Sequence, residues 1–362
     1  MKALTYGGPG QRTWETVSDP TIHEPTDVVV EIGSSTICGT DLHILKGDVP
    51  AVEPGRVLGH EAVGTVVETG AAVTTVAEGD RVLVSCITAC GRCRFCREGR
   101  YGLCDGGGGW ILGHLIDGLQ AEYARVPFAD TSVYKVPEEL TDEQVLFLAD
   151  ILPTSYEVGV LNGNVRPGDT IAVVGAGPIG LAAIMTAQLF TPGRVIALDL
   201  ADARLDQARK FGADVTINNG DEDPVERVME LTDGLGADVA IEAVGVPQTF
   251  ELCTELIRPG GRVANVGVHG QAATLHLEKL WIRGVTITTG LVDTFTTPQL
   301  LRLIRGGRLD PTVFATHRFA LGETMQAYDV FAAAAETHAL KVVLEGERAV
   351  KEAPAALAGA HA

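Results

Sequence analysis

Positively charged residues are scarce in this sequence. Its 362 residues include 28 Lys and Arg against 47 Asp and Glu, which gives a formal net charge of −19. Because phosphate polymers are bound by clustered cations, this balance argues against nucleic acids and anionic membranes as partners. The sequence also lacks a run of about 18 apolar residues, the length of a membrane span, and its start lacks the basic-then-apolar layout of a signal peptide. We therefore expect a soluble, cytoplasmic protein.

Disulfide bonds are not needed at this length, because a chain of this size buries about 75 % of its unfolded surface. The sequence nevertheless contains seven cysteines, four of them within fifteen residues. Glycine is over-represented, with 43 residues or about 12 % against a typical usage of about 7 %. The glycine excess indicates many turns and close approaches of backbone to ligand. The clustered cysteines are the first indication of function.

The first and last parts of the chain predict a β-rich domain. Short β-branched runs separated by Gly, Pro and Asp are typical of an all-β region, with strands expected at 28–32, 62–67 and 80–85. After residue 296 the pattern predicts helices at 297–305 and 321–335 and a strand at 341–344. The tail 347–362 shows no amphipathic face, and we expect it to be loosely held.

The middle of the chain has a different pattern. Apolar runs alternate with helix-like segments such as 179–190 and 203–211, which predicts βαβ units and a parallel sheet. The predicted strands lie at 170–174, 195–198, 239–242 and 262–266. We therefore expect two domains, one from residues 1–154 with 297–362 and the other from residues 155–296.

A glycine motif stands between the first of these strands and the helix that follows it. The residues are Gly175-Ala176-Gly177-Pro178-Ile179-Gly180. Gly175 permits a tight turn, Gly177 lets a pyrophosphate approach the backbone, and Gly180 lets the helix pack against the sheet. The helix N-terminus would offer amides and a positive dipole to the phosphates. The motif predicts a dinucleotide site that includes Pro178 and Ile179, and the alternative is a glycine-rich turn without a ligand.

The next predicted strand ends at Asp199. A carboxylate at this place accepts hydrogen bonds from the adenosine ribose hydroxyls and repels a 2′-phosphate. Leu200 and Ala201 follow it, whereas an NADP enzyme would more often have a cation there, and Arg204 is the nearest candidate. The sequence therefore favours NAD over NADP.

Four cysteines form a compact group with the spacing C-x2-C-x2-C-x7-C. They are Cys90, Cys93, Cys96 and Cys104. Four thiolates so close together fit a closed tetrahedral zinc site, and such a site has a structural role because it leaves no position for substrate. An iron–sulfur cluster and a group of reactive thiols are the alternatives.

Three further residues could bind a metal but are widely separated in the sequence. Cys38 opens the segment Cys38-Gly39-Thr40-Asp41-Leu42-His43, His60 stands between Gly59 and Glu61, and Asp150 precedes Ile-Leu-Pro-Thr-Ser. Taken singly, each has an ordinary structural interpretation, namely a buried thiol, a core or capping histidine and a helix cap. Spacing alone favours these interpretations.

Together these residues resemble a known family. The pattern Gly59-His60-Glu61-x2-Gly64-x5-Gly70-x2-Val73, with Cys38, the four-cysteine group and the later glycine motif, is similar to the zinc-dependent alcohol dehydrogenases of the medium-chain dehydrogenase/reductase family. The resemblance runs in the family's order from Met1 to about Leu344. It implies a GroES-like β-rich catalytic domain, a doubly wound Rossmann domain and an active site in the cleft between them.

The resemblance also implies roles for individual residues. It makes Cys38, His60 and Asp150 the ligands of a catalytic zinc, with Glu61 a nearby or exchangeable ligand. Many family members have a cysteine where this chain has Asp150, and the aspartate is similar to bacterial secondary alcohol dehydrogenases. Thr40 and His43 occupy the positions of the family's proton relay.

The remaining implied contacts concern the substrate and the cofactor. Trp110 lies where a pocket residue is expected, although a packing role fits it as well. The other cofactor contacts implied by the resemblance are Thr154, Val266, Val268 and Leu291. Cys86 and Cys253 match no site and are expected to be inert.

The chemistry of the ligand types agrees with this family independently. Three protein ligands leave a fourth position on zinc for a substrate oxygen, and NAD would take the hydride. We therefore expect an oxidoreductase acting on small primary or secondary alcohols, aldehydes or ketones, with NAD and two zinc ions per chain, as a homodimer or homotetramer. The alternatives are a polyol, threonine or formaldehyde dehydrogenase and a non-catalytic, NADH-sensing zinc protein.

Overall fold

The computed structural model describes residues 1–351, and residues 352–362 lie outside the described part. The chain divides into two compact units. The first is built from Met1–Asp150 together with the chain from Asp293 onward, and the second is Ile151–Val292. The first unit contains a two-stranded and a seven-stranded sheet, and the second contains a six-stranded sheet.

Residues 1–351 contain fifteen strands. In chain order they are β1 (Lys2–Gly8), β2 (Gln11–Thr16), β3 (Val28–Thr36), β4 (Ala62–Thr69), β5 (Arg81–Val84), β6 (Tyr123–Val126), β7 (Val133–Lys135), β8 (Thr170–Val174), β9 (Arg194–Asp199), β10 (Val215–Asn218), β11 (Ala237–Glu242), β12 (Ile257–Asn265), β13 (Thr286–Thr289), β14 (Ala315–Ala320) and β15 (Lys341–Glu345).

The same described range contains thirteen α-helical segments. They are α1 (Gly39–Lys46), α2 (Arg94–Arg97), α3 (Ala129–Ser132), α4 (Asp142–Leu146), α5 (Ile151–Thr154), α6 (Pro178–Ala187), α7 (Asp202–Phe211), α8 (Pro224–Leu231), α9 (Pro247–Leu256), α10 (Leu277–Leu280), α11 (Thr297–Arg305), α12 (Thr324–Ala332) and α13 (Ala334–Thr337). α5 continues in π-helical geometry over Ser155–Leu161.

In the first unit, β3 organises the main sheet. The sheet order is β14-β15-β3-β4-β5-β7, and β6 also pairs with β3. β4 pairs with β3 from Val28 to Ser35, so β6 and β15 share the opposite edge of β3. Apolar residues from β3, β4 and β5, such as Val30, Ala62 and Val84, are fully buried in one core, because β-branched side chains pack well on a pleated surface.

The second unit is a doubly wound sheet of six parallel strands. The order is β10-β9-β8-β11-β12-β13, and each neighbouring pair is parallel. The order therefore reverses between β8 and β11, as in a Rossmann fold, where ligands bind outside the carboxyl ends of the strands at the reversal. Both fold predictions, the Rossmann sheet and the β-rich domain, are confirmed.

Individual elements follow the predictions closely where their periodicity is strong. α11 has the predicted bounds, and β8 does too. The predicted helix 321–335 is wrong in its continuity, since it starts as a 3₁₀ turn and breaks at Ala333 between α12 and α13. The all-β interpretation of the first region is also wrong in part, because α1 lies between β3 and β4. α1 ends at Lys46, and the next residue, Gly47, has a left-handed φ of 87°.

One helical stretch corrects the expectation about apolar runs. Asp142–Leu161 has 20 residues, and its most apolar 18-residue window has a mean hydropathy of 1.2, which is long and apolar enough to cross a membrane by length and composition. However, 78 % of its most apolar window is buried inside the protein. Such burial is typical of a core helix, so this single stretch is weak evidence for a span.

Part of the C-terminal segment, residues 347–351, is held by contacts with the first unit. The Val350 amide donates to Asp142 Oδ2 at 3.0 Å, and the Asp142 amide donates to the Val350 carbonyl at 2.9 Å. Arg348 also pairs with Glu31 at 3.0 Å. The expectation of a loosely held tail is therefore wrong for residues 347–351, and the rest of the predicted tail, 352–362, lies outside the described residues.

Candidate active site and metal centres

Four potential metal ligands of the first unit converge on one point. The ligand atoms of Cys38, His60, Glu61 and Asp150 all lie within 4.8 Å of one another. The sheet explains this convergence: β3 and β4 are antiparallel neighbours, so the chain just after β3, which carries Cys38, lies beside the chain just before β4, which carries His60 and Glu61. Residues that are far apart in sequence thus share one end of the sheet.

The separations within this group fit a tetrahedral zinc ion. Asp150 Oδ2 lies 3.5 Å from Cys38 Sγ and 3.4 Å from His60 Nε2. Zinc bonds of about 2.0–2.3 Å at tetrahedral angles separate ligand atoms by about 3.3–3.8 Å. A thiolate, an imidazole and a carboxylate are also ligands that zinc prefers. Donor type and spacing therefore both fit the metal.

The electrostatics of the group favour a bound cation. Burial raises the pKa of the Cys38 thiol, and the Asp150 carboxylate raises it further. Burial alone would lower the pKa of His60, but hydrogen bonds with Asp150 and Cys38 and the charge of Asp41 raise it well above 6.5. The donor set attracts positive charge, which protons or a metal ion supply in competition.

Asp41 supports the histidine and was not found by sequence reasoning. Its Oδ1 lies 3.6 Å from His60 Nδ1, on the far side of the ring from Asp150. Its Oδ2 accepts hydrogen bonds from the Cys38 amide at 2.9 Å and from Gln120 Nε2 at 3.1 Å. A carboxylate behind a metal-binding histidine fixes the tautomer and orientation of the ring. Its position three residues after Cys38, at the start of α1, is the sequence signal that could have indicated it.

Glu61 is paired with a lysine from the far end of the chain. Lys341 Nζ donates to Glu61 Oε1 at 2.6 Å and to the Ile37 carbonyl at 2.9 Å, and both side chains are 1 % exposed. Burial raises the pKa of the Glu61 carboxyl, and the Lys341 ammonium opposes that shift. Glu61 Oε2 is buried without a hydrogen-bond partner among residues 1–351. Lys341 starts β15 and carries no local sequence signal of this role.

Thr40 and His43 both lie on α1, which starts directly after Cys38. The Thr40 hydroxyl lies 3.6 Å from Cys38 Sγ, within the range of a hydrogen bond to sulfur. His43 follows one turn later, is 43 % exposed, and its Nδ1 lies 2.8 Å from Asp48 Oδ2. The helix thus has a hydroxyl beside the candidate ligands and an imidazole at the surface.

Trp110 lies beside the candidate ligands. Its ring centroid is 6.3 Å from that of His60, with the rings at 76°. On another side it stacks on His114, with centroids 4.2 Å apart, and His114 Nδ1 lies 2.9 Å from the Trp110 carbonyl. Sequence reasoning did not single out His114. Trp110 also packs against the first unit's apolar core, so the wall and packing interpretations both apply.

Cys86 lies beside the candidate metal ligands. Its Sγ lies 3.7 Å from Asp150 Oδ1, so the Asp150 carboxylate faces two thiols, those of Cys38 and Cys86. Burial raises the pKa of the Cys86 thiol well above its usual 9.0. The expectation that Cys86 lies outside any site is therefore wrong, whereas Cys253 is buried in the core of the second unit.

The four-cysteine group is assembled as its spacing predicts. The ligand atoms of Cys90, Cys93, Cys96 and Cys104 lie within 4.8 Å of one another, with Cys90 Sγ 3.9 Å from Cys96 Sγ. Amides donate to sulfur within the group, for example from Cys93 to Cys90 Sγ at 3.4 Å. Burial acts to raise the pKa of Cys90, but these backbone hydrogen bonds outweigh it and lower the pKa to about 7. Backbone donors that stabilise thiolates suit a structural metal site.

The four glycines after Cys104 have a packing role. A Cβ on Gly106 would lie 2.4 Å from Cys90 Sγ, and one on Gly108 would lie 2.5 Å from the Thr88 carbonyl oxygen. Gly109 exchanges backbone hydrogen bonds with Thr88 at 3.0 and 2.6 Å. The backbone of this segment therefore packs directly on the cysteine group.

The glycine motif of the second unit lies where β8 meets α6. Gly175 has a φ of 97°, which is left-handed, and a Cβ on Gly180 would lie 1.8 Å from the Gly175 carbonyl oxygen. Gly177 precedes α6, and no heavy atom lies within 4 Å of the place where its Cβ would stand. Pro178 and Ile179 form the first turn of the helix. The loop is tightly packed at Gly175 and Gly180 but leaves free space beside Gly177, and this space fits a phosphate group.

Asp199 ends β9 beside this loop. Its Oδ2 accepts a hydrogen bond from the Ala176 amide at 2.8 Å, and its Oδ1 accepts one from the Ala201 amide at 3.0 Å. Arg204 Nη1 lies 3.8 Å from Asp199 Oδ2. The carboxylate is thereby fixed next to the glycine loop with oxygen lone pairs remaining.

The other predicted cofactor residues lie in the second unit, one at the end of a helix and three just after strands. Thr154 ends α5, and the adjacent Ser155 hydroxyl donates to the Ile179 carbonyl at 2.8 Å, which links this segment to the start of α6. Val266 and Val268 follow β12, and Leu291 follows β13. Val268 and Leu291 are exposed.

Comparison with known proteins agrees with this geometry. Residues 24–138 match the family model described as the alcohol dehydrogenase GroES-like domain, and residues 178–305 match the model described as zinc-binding dehydrogenase. An alcohol dehydrogenase from Cupriavidus necator is 39 % identical over 354 residues, which cover 92 % of this chain and 95 % of that protein. The L-threonine 3-dehydrogenase of Pyrococcus horikoshii is 35 % identical over 303 residues, which cover 82 % and 84 % of the two chains.

A solved structure gives the same result. Zinc dependent alcohol dehydrogenase 2 from Streptococcus pneumonia, in its apo form, has 49 % identity and a TM-score of 0.92, covering 96 % of this chain and 99 % of that chain. The chain therefore belongs to the zinc-type alcohol dehydrogenases of the medium-chain dehydrogenase/reductase family, and it is an oxidoreductase.

Proposed function

We propose that this protein transfers a hydride between NAD and a small primary or secondary alcohol, with the aldehyde or ketone as substrate in reverse. The observation that carries the proposal is the buried group of Cys38, His60 and Asp150, whose separations of 3.4 and 3.5 Å fit one tetrahedral metal ion. A second metal site of four thiolates has no open position and would be structural. We infer two zinc ions per chain, with the first unit as the catalytic domain and the second as the NAD domain.

Cys38, His60 and Asp150 would hold the catalytic zinc. Bound there, zinc would act as a Lewis acid toward the substrate oxygen, and NAD bound nearby would accept the hydride. Asp41 Oδ1 faces His60 Nδ1 at 3.6 Å, and a carboxylate there favours the tautomer with its hydrogen on Nδ1, which would leave Nε2 to bind the metal. Lys341 holds Glu61 Oε1, so Oε2 is the atom through which Glu61 would join the other three ligands.

Thr40 and His43 would move the proton. A hydroxyl can accept one proton while donating another, and Thr40 provides such a hydroxyl 3.6 Å from Cys38 Sγ. His43 lies on the same face of α1 one turn away, and its exposed ring can exchange a proton with solvent. Asp48 accepts from Nδ1 of His43, which leaves Nε2 as the atom that receives the proton.

The proposal favours NAD over NADP because of Asp199. Its carboxylate is fixed beside the glycine loop by the Ala176 and Ala201 amides, and a 2′-phosphate at that place would be repelled. The measurement is the ratio of kcat/KM for NAD and NADP in the native protein and in Asp199→Ala. We expect the NAD preference to fall in the variant. A native preference for NADP that persists in Asp199→Ala would refute the assignment.

The substrate class is proposed from Trp110. Its ring lies 6.3 Å from the His60 ring and offers a large apolar wall, which suits a small uncharged alcohol. The 35 % identity to an L-threonine 3-dehydrogenase supports a second candidate, the oxidation of polyols or amino alcohols by the same zinc chemistry. A substrate panel that includes simple alcohols, vicinal diols and threonine distinguishes the two.

The main test combines metal analysis with NADH absorbance. We expect two zinc ions per chain and NADH formation with at least one alcohol of the panel. Cys38→Ala should lose one zinc and turnover, whereas Cys253→Ala, which removes a buried thiol of the second unit, should lose neither. One zinc per native chain with no turnover on any alcohol would refute the catalytic proposal.

We further propose a homodimer or homotetramer in the cytoplasm. The second unit exposes Leu277, Trp281 and Ile282, the last two more than 70 % exposed, close in sequence to the edge strand β13. Exposed apolar clusters of this kind are typical of protein interfaces. Light scattering on native protein and on Trp281→Glu tests the assembly, and we expect the variant to dissociate.

A further inference from the structure

A fully buried carboxylate ends β11 in the second unit. Glu242 Oε1 accepts three hydrogen bonds, from the Val244 and Gly245 amides at 2.9 Å and from the Thr249 hydroxyl at 2.7 Å. These donors belong to the loop between β11 and α9 and to the first turn of α9. Glu242 Oε2 lacks a hydrogen-bond partner among the described residues. Oε1 thus fixes the loop after β11 by hydrogen bonds, whereas Oε2 is available to a neighbouring side chain.

That neighbour is His269, which lies in the loop after β12. His269 Nε2 lies 3.6 Å from Glu242 Oε2 and 2.9 Å from Asn265 Oδ1. Asn265 Nδ2 donates to the Gly267 carbonyl at 2.9 Å, so its Oδ1 is the acceptor and His269 Nε2 carries the hydrogen. The ring packs at 89° against Phe250 of α9. His269 therefore connects the loop after β12 to the loop after β11.

The two loops are packed too closely for side chains at their glycines. A Cβ on Gly267 would lie 2.3 Å from Glu242 Oε2, and a Cβ on Gly245 would lie 2.3 Å from the Val268 carbonyl oxygen. Gly245 has a φ of 88°, which favours glycine. Glu242, Asn265 and His269, which we call the loop-locking cluster, therefore hold the backbone from Gly267 to Val268 in one position.

The cluster lies on one side of the point where the sheet order reverses. Doubly wound sheets bind a dinucleotide across that reversal, one mononucleotide on each side. Here β8 stands between β9, which ends at Asp199, and β11, which ends at Glu242. If Asp199 holds the adenosine ribose, the nicotinamide half falls to the side of β11 and β12.

We propose that the loop-locking cluster is a positioning device for the nicotinamide half of the dinucleotide. It holds Gly267 and Val268 in place as a preformed wall, and it has no role on the adenosine side. This inference rests on the proposed function, since it requires that the second unit bind NAD.

The experiment compares binding of NADH with binding of ADP, which carries only the adenosine half and the phosphates. Affinities are measured by fluorescence and calorimetry on the full-length zinc-loaded protein, without turnover. The variants are Glu242→Gln, which keeps an acceptor for the loop amides but presents an amide donor to His269, and His269→Phe, which keeps a ring against Phe250. The matched controls are Glu251→Gln and His276→Phe, since these residues face each other at 3.9 Å on the surface of the same unit.

We expect the dissociation constant for NADH to rise by about fivefold in each cluster variant, the effect of about one buried hydrogen bond, with ADP binding unchanged. The control variants should bind both ligands as the native protein does. Equal losses for NADH and ADP, or native NADH affinity in both cluster variants, would overturn the inference. If Glu242→Gln does not fold, His269→Phe decides alone. Failure of the native protein to bind NADH would instead refute the proposed function.

Discussion

Replacing Lys341 by methionine should destabilise the first unit strongly while leaving the second unit intact. Lys341 and Glu61 form an ion pair at 2.6 Å in which both side chains are 1 % exposed. Removing one partner of a buried pair leaves an uncompensated charge and costs about 3–5 kcal/mol. Methionine has a similar length and no charge, so packing is retained and the loss comes from the unpaired Glu61 charge and the missing hydrogen bond to the Ile37 carbonyl.

The assay is urea unfolding of the zinc-loaded protein, with NADH binding as a separate reporter of the second unit. The matched control is Lys351→Met, because Lys351 also pairs with a glutamate, Glu345, but is 62 % exposed. An exposed pair contributes about 0–1 kcal/mol, so this variant should be close to native in stability. The two substitutions are chemically identical and differ in burial.

A double variant tests the reasoning further. Lys341→Met with Glu61→Gln removes both charges, and a neutral replacement of a buried pair is often close to neutral in stability. We therefore expect the double variant to recover most of the loss. The reasoning is refuted if Lys341→Met is no less stable than Lys351→Met, or if the double variant is as unstable as Lys341→Met alone.

Three further predictions concern other parts of the first unit. Cys96→Ser should remove one zinc per chain by metal analysis and lower the unfolding temperature, while the catalytic metal remains. Thr40→Ala should reduce kcat by about 10²-fold with both zinc ions retained, whereas Thr40→Ser should stay close to native, since proton transfer by a positioned group contributes roughly that much. Hydrogen bonds from Thr74 and Thr75 outweigh burial and lower the pKa of Asp130 to about 2. Because this pKa is below the unfolded value, the stabilisation by Asp130 is present above about pH 4 and is lost as the pH falls toward 2. The difference in unfolding free energy between native protein and Asp130→Asn should therefore shrink on acidification, and a constant difference would contradict the assignment.

Much of the second unit could be predicted from sequence because its signals are local. β8, the glycine motif and α6 follow each other without interruption, and each part has its own requirement for residue type. The order of the parallel strands then follows from βαβ connections. Glu242 and His269 could not be predicted in this way, since their contact joins two loops that only the finished sheet brings together.

The first unit was less predictable because its site depends on pairing between distant strands. The ligand candidates Cys38, His60 and Asp150 had ordinary interpretations singly, and the family resemblance connected them. Lys341 is 280 residues from Glu61 in the sequence, and nothing near it indicates a buried partner. Its place is set by β15, which pairs with β3 only in the assembled sheet. Antiparallel pairing of non-consecutive strands leaves no periodic signal in the sequence.

The charges of the candidate ligand group explain why a bound metal ion and the fold of the first unit should stabilise each other. Buried anions destabilise a fold unless a cation faces them, and Lys341 compensates Glu61 alone. Cys38 and Asp150 then need two further positive charges, and the raised pKa values of Cys38 and His60 indicate that protons supply them when no metal does. A divalent cation would replace those protons and leave His60 neutral, with Asp41 Oδ1 3.6 Å from its Nδ1. Because Glu61 is already compensated, a zinc ion bound to the other three ligands would be formally neutral and would keep a position open for substrate oxygen.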